Sequence, residues 1–328
     1  MALVTAGVLL QLPDLAVMLD GDTSAGDGMP DMTMWTPTMA GGMLLLVLGL
    51  VLSCASLFRS APKAGPGVGV SMEALEHGRL RPAHWLMLVA LTVALIEDIM
   101  KPLTLGFVLP GMSREYGMSL AAVSLLPVVA LTGTAVGSVV WGLLGDRYGR
   151  RTALLLATLL FVATAACGAM PSFGWNLVMC FAMGCSAGGL LPLAFTLVAE
   201  LTPRRHRGWT AVLLGAVGGV GGYLAASTAA TYLEPLFGWR VLWLIGLPSG
   251  LVLLAMMPLV PESPLYLLRV GRRADAAAVL LRFGSQIRRV GRPAAAGTGH
   301  RHRSSIRALI SGYPVATAVV GGFGMVWG

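Results

Sequence analysis

The amino-acid sequence predicts an all-α membrane protein, on three observations. Hydrophobic residues make up 56% of the 328 and charged residues only 12%, far from the balance of a soluble domain. The apolar residues gather into uninterrupted runs close to the roughly 20 that cross a hydrocarbon core as a helix. Of the 23 Lys and Arg residues, twenty lie on one set of alternating connectors between those runs, and only Arg114 and Arg240 lie on the other set. That asymmetry assigns the basic connectors to the cytoplasm.

It also explains the formal net charge of +8. Charge confined to short connectors is a topological signal, whereas a nucleic-acid binder gathers it on one face, so no nucleic-acid partner is expected. Cys54, Cys167, Cys180 and Cys185 all sit inside apolar stretches without ligand spacing, and are read as small buried hydrophobes. No metal or cofactor is expected. Nothing resembles a nucleotide-binding loop or a catalytic triad, so the chain is not expected to be an enzyme.

In chain order, residues 1–41 carry Asp14, Asp20, Asp22, Asp27 and Asp31 and no Lys or Arg, an acidic tail that faces outside. The methionine-rich stretch from Met29 to Met39 has thioethers that suit a soft ion, but spacing alone favours a flexible loop. Residues 42–58 form an accessory transmembrane helix, followed by Arg59 and Lys63 and a cytoplasmic linker over 59–84. Residues 85–261 hold six spans, at about 85–110, 119–144, 152–170, 176–200, 209–232 and 239–261. A basic cytoplasmic linker covers 262–312, in which Arg269–Phe283 reads as an amphipathic helix along the inner membrane surface. Residues 313–328 begin another apolar run, too short for a full span.

Two places in this frame carry chemistry. The first core span contains Glu97, Asp98 and Lys101 near its middle. A charge at that depth costs roughly 2.5–3.5 kcal/mol on insertion scales and persists only when paired or facing a cavity. The spacings of four and three put both carboxylates within reach of the ammonium on one helix face. Two ionised acids would leave an excess negative charge, so one carboxyl is expected to exchange a proton during transport. The alternative is a purely structural ion pair inside the bundle. Pro102, next to this cluster, removes a backbone hydrogen bond.

The second place is the decapeptide Gly142-Leu143-Leu144-Gly145-Asp146-Arg147-Tyr148-Gly149-Arg150-Arg151, a tight turn at the membrane surface between two spans. Its glycines permit close backbone approach or positive φ, and a carboxylate there suits a helix N-terminus and an arginine partner. In the fifth span Gly215, Gly218, Gly219, Gly221 and Gly222 make a small-residue face for close helix packing, and Ser227, Thr228 and Thr231 either line a polar path or satisfy their own backbone. Trp141, Trp209, Trp239 and Trp243 near span ends read as interfacial anchors.

The decapeptide resembles the loop between the second and third helices of the major facilitator superfamily. Three further segments agree in order and spacing: Glu200 to Gly208 resembles that family's E-x-x-P-x-x-x-R-G turn, Gly238-Trp239-Arg240 its G-W-R, and Pro261-Glu262-Ser263-Pro264 its P-E-S-P. The resemblance covers residues 85–328 and implies the sugar-porter-like and organic-solute branches. It implies a secondary transporter of the plasma membrane that moves a small organic solute by alternating access, and Glu97 or Asp98 is expected to couple that transport to protons. It also implies a cytoplasmic charge-relay gate of Gly142, Asp146, Arg147, Gly149, Arg150, Arg151, Glu200, Arg204, Arg207 and Glu262. Cys180 stands where many relatives carry an arginine, so the proton route through that arginine is not expected here. Relatives have two six-helix halves with the solute between them. This sequence supplies the N-terminal half and the start of a seventh core helix, so a missing C-terminal half or a second copy is expected as partner. The competing expectation is a truncated half-transporter without activity of its own.

Overall fold

A computed structural model describes residues 79–165 and 172–284, together with isolated positions between residues 6 and 55. The chain falls into two units, and every described residue belongs to the larger one; the smaller, Gly69–Ser71 with Arg289–Gly328, lies outside the described residues. So do the methionine-rich stretch from Met29 to Met34, Cys54, Cys167 and the apolar run from Tyr313. Within the expected accessory span, the described positions from Gly42 to Ala55 are all helical.

Six long helical segments follow: α1 (Pro82–Glu115), α2 (Leu120–Tyr148), α3 (Arg150–Ala163), α4 (Phe173–Leu201), α5 (Arg204–Tyr232) and α6 (Val241–Leu259). Two short helices end the described chain, α7 (Pro264–Arg269) and α8 (Arg273–Arg282). By length and composition α2, α4, α5 and α6 are each able to cross a membrane. α1 is longer than any of them but carries three charges in its middle. It starts earlier than the hydropathy alone indicates because Pro82 occupies its first turn, where a missing N–H costs nothing. It runs unbroken through Pro102 and Pro110.

α4 sits at the centre, with Cys180, Met183, Leu190, Leu193, Ala194 and Leu197 each 1% exposed or less. Its closest neighbour is α2, and glycine sets the approach. Gly133 and Gly137 of α2 face Gly184 and Gly188 of α4, and each packs directly on the other helix's backbone. A Cβ built on Gly184 would lie 2.8 Å from the carbonyl carbon of Ala130, and one on Gly137 2.8 Å from that of Cys185. The pairs are two small-x-x-x-small faces set against each other, which lets the helices gain dispersion contact where hydrophobicity offers no driving force between them. The fifth-span glycines behave as their spacing predicts: Gly218, Gly221 and Gly222 admit Leu95, Ile96 and Ile99 of α1.

Two expectations need correction. The apolar face of Arg269–Phe283 is not left free to lie on a membrane surface. Ala276, Leu280 and Phe283 are buried against the protein, and the Phe283 ring packs edge-on against His84 of α1 at 4.8 Å. Arg81 strengthens that contact by donating to the Leu281 carbonyl at 3.2 Å. Nor are the tryptophans uniformly interfacial: Trp209 is exposed, but Trp141, Trp239 and Trp243 are 7% exposed or less, because their indoles fill space beside small residues. Trp141 lies on Gly189 and donates to the Cys185 carbonyl at 2.6 Å. Of the two readings of Ser227 and Thr231, the hydrogen bonds agree with the one in which they satisfy their own backbone. Each hydroxyl donates to the carbonyl four residues earlier, on Tyr223 and Ser227.

Candidate functional site

The charges in the middle of α1 are buried: Glu97 is 3% exposed, Asp98 7% and Lys101 1%. Their partners come from helices that sequence spacing does not reveal. Glu97 accepts a hydrogen bond from the Ser249 hydroxyl of α6 at 2.8 Å. Lys101 donates to the Phe161 carbonyl at 2.8 Å and to the Thr164 hydroxyl at 2.7 Å, at the far end of α3. Its ammonium also stands 4.1 Å from the centre of the Phe161 ring, a cation–π contact strengthened by exclusion of water. Gly246 of α6 makes room for this arrangement, since a Cβ there would lie 2.5 Å from the Lys101 Cε. Asp98 differs from both. Its Oδ1 is buried and accepts no hydrogen bond among the described residues, an uncompensated acceptor of the kind that functional sites tolerate. The cluster therefore ties α1 to α3 and α6 while leaving one carboxylate oxygen unsatisfied.

At the end of the bundle carrying the basic turns, the decapeptide and the segment after α6 meet. Gly149 adopts φ 104° and ends α2, a left-handed conformation that favours glycine. Its missing side chain leaves room for the Glu262 carboxylate. Glu262 accepts from the backbone N–H of Arg151 at 3.1 Å and of Ser263 at 2.9 Å, with the N–H groups of Arg150 and Thr152 also acting on it. A carboxylate far along the chain thus closes the N-terminus of α3, where free N–H groups and the helix dipole favour negative charge. Burial pushes the Glu262 carboxyl above its ordinary range, and the four backbone N–H groups pull it back.

The turn's own aspartate has another partner. Asp146 pairs with Arg150 at 2.5 Å, and Arg150 reaches Glu200 at the end of α4 at 3.8 Å. Arg269 of α7 donates to the Asp146 carbonyl at 3.4 Å. Sequence reasoning expects Asp146 as the acid at a helix N-terminus; the acid at the start of α3 is Glu262. Gly145 allows a close approach of Leu193 and Arg150, whereas Gly142 faces open space. Arg147 lies over the Tyr148 ring at 5.7 Å. Arg207 donates to the Thr202 carbonyl at 3.4 Å, and Arg204 is exposed on the first turn of α5. So Asp146, Gly149, Arg150, Arg151, Glu200 and Glu262 form one connected group, while Gly142, Arg147, Arg204 and Arg207 lie around it.

A third polar cluster, at the opposite end, has no counterpart in the sequence expectations. Glu115 of α1 is bonded by Arg240, and it also accepts from the Trp239 indole at 2.8 Å. Beside it Asn176 of α4 donates to the Tyr116 hydroxyl at 3.0 Å. The G-W-R segment marks where this cluster lies, but its acid is 125 residues away.

The family model described as Major Facilitator Superfamily matches residues 86–328. A niacin transporter of Acinetobacter baylyi is 32% identical over 194 residues, covering 59% of this chain and 44% of that protein. A benzoate transport protein of the same organism is 27% identical over 60% of this chain and 43% of its own length. A gallate transporter of Pseudomonas putida is 30% identical over 70% of this chain and 51% of its own. The chain spans about half the length of the curated relatives it matches. Among solved structures, the xylose transporter XylE from E. coli in a partially occluded inward-open conformation superposes with a TM-score of 0.54 at 19% identity, covering 60% of this chain and 53% of that one. The helical bundle, its membrane-spanning segments and the match over residues 86–328 agree, and the chain belongs to the Major Facilitator Superfamily.

Proposed function

We propose that the chain moves a small organic solute across the plasma membrane by alternating access, with protons as the coupling ion. The observation that carries this reading is the burial of Glu97, Asp98 and Lys101 in the middle of α1, with one Asp98 oxygen left without a partner. Ionisable groups are retained at that depth where they serve an ion or solute path. Glu97, held by Ser249, and Asp98 are the two candidates for the proton carrier.

The names of the relatives narrow the solute. Niacin, benzoate, gallate and 4-hydroxybenzoate are single-ring aromatic acids, and that class is the proposed substrate. The charged group at the basic end, from Asp146 to Glu262, is proposed as the cytoplasmic gate, since it joins α2, α3, α4 and α7 through contacts that have to break if those helix ends separate. A second bundle opposite this one completes the pathway in this reading.

The test is uptake of labelled nicotinate and benzoate into vesicles holding the chain, with and without an inward proton gradient. Gradient-driven uptake that disappears in Glu97→Gln or Asp98→Asn supports coupling at that residue. Gradient-driven uptake unchanged in both variants overturns the coupling, and no uptake of either acid by the unaltered chain overturns the transport reading of it.

A further inference from the structure

Below the start of α3, a half-open cavity of about 500 Å³ lies between α3, the segment that follows α6, and helices α7 and α8. Its polar wall holds three arginines, Arg151, Arg272 and Arg282, with Glu262, Asp275 and Tyr266. The acids do not neutralise the bases. Glu262 is committed to the backbone N–H groups at the start of α3 and to Ser263. Asp275 pairs with Arg272 at 2.7 Å. The guanidinium groups of Arg151 and Arg282 have no carboxylate within 4 Å and no hydrogen-bond acceptor among the described residues. Three arginines against two acids leave the lining with a formal net charge of +1, and the two arginines without a carboxylate partner both line this cavity. Leu155, Val260, Leu267 and Val279 add apolar wall between the charged groups, and a cleft lined by an excess of one sign of charge focuses the field on its space.

We propose that this cavity is an anion site that takes a phosphate group through Arg151 and Arg282. Guanidinium forks match the paired oxygens of a phosphate, and the volume falls in the range of small-ligand sites. The N-terminus of α3 is not itself the site, because Glu262 already fills it. The phosphate has two possible sources with the same chemistry, the headgroup of an anionic phospholipid and a soluble phosphate compound. The site shares Arg151 and Glu262 with the proposed gate, and it is read through unfolding rather than uptake, so its failure and that of the transport reading are distinguishable.

The test uses the full chain in phosphatidylcholine vesicles, with the thermal unfolding midpoint as readout. Inorganic phosphate is titrated against chloride at matched ionic strength, and in a separate arm phosphatidylglycerol replaces part of the phosphatidylcholine. A response to phosphatidylglycerol alone assigns a lipid headgroup, and a response to inorganic phosphate assigns a soluble ligand. Arg151→Gln with Arg282→Gln raises the half-effect concentration roughly 25-fold, from about fivefold per arginine near a membrane surface. Asp275→Asn, which frees Arg272, lowers it several-fold and keeps the test open if the double variant folds poorly. Arg79→Gln with Arg205→Gln, exposed basic residues outside the cavity, leaves it unchanged. No response in either arm overturns the site, as does an equal loss in the Arg79 and Arg205 variant or no gain in Asp275→Asn.

Discussion

Replacing Glu262 tests whether a carboxylate distant in sequence closes the third helix. In Glu262→Ala the N–H groups of Arg151 and Ser263 lose their acceptor, and those of Arg150 and Thr152 lose the carboxylate that acts on them. Loss of a helix cap costs about 0.5–2 kcal/mol. Burial offsets the attraction of the helix dipole for the charge, so the expected destabilisation of the alanine variant is about 0.5–2 kcal/mol. Glu262→Gln keeps an acceptor oxygen and gives up a charge that burial disfavours, so it is expected to be close to neutral. Hydrogen exchange followed by mass spectrometry reads the effect locally, as faster exchange at residues 150–152 in the alanine variant and near-native exchange in the glutamine variant. Unchanged protection of those amides in Glu262→Ala refutes the cap. The pH dependence has a defined sign. Burial raises the carboxyl above its unfolded range, so its contribution to stability is full at low pH and declines as pH rises through the folded value. Unaltered protein therefore gains stability on mild acidification relative to Glu262→Gln.

The remaining predictions concern backbone room and the outer cluster. Gly149→Ala combines a φ of 104° with a Cβ aimed at the Glu262 carboxylate; it is expected to lose about 1–3 kcal/mol from strain alone and to speed exchange at the same amides. Gly184→Val places branched carbons against the α2 backbone, and a fall of at least about 1–3 kcal/mol in detergent unfolding is expected. Gly106→Ala, with nothing within 4 Å, is expected to be neutral or stabilising by up to about 1 kcal/mol. Arg240→Gln leaves a largely buried Glu115 without its guanidinium and is expected to cost about 3 kcal/mol, whereas adding Glu115→Gln recovers part of the loss in a double-mutant cycle.

Much of this architecture is legible in the sequence because a bilayer imposes a length and a polarity on each segment that composition alone reports. The all-helical fold, the order of the six long helices and the buried position of Glu97, Asp98 and Lys101 follow from apolar run length and from the cost of placing charge in hydrocarbon. Spacing within one helix also anticipates the glycine face of the fifth span. Spacing fails where partners come from elsewhere in the chain. Nothing around Glu97 points to Ser249, and nothing around Lys101 points to the carbonyl of Phe161. The buried tryptophans escape for the same reason, since position near a span end does not say which side of the helix an indole occupies.

The sequence by itself determines that this chain is a multi-pass helical membrane protein of the Major Facilitator Superfamily, because hydropathy and a few turn motifs are local properties. Which acid closes the third helix, which oxygen in the first is left without a partner, and which arginines share a cavity are decided only by tertiary structure. Helices brought together at glycine contacts place residues 60 to 152 positions apart within hydrogen-bond distance, and no local pattern encodes that pairing.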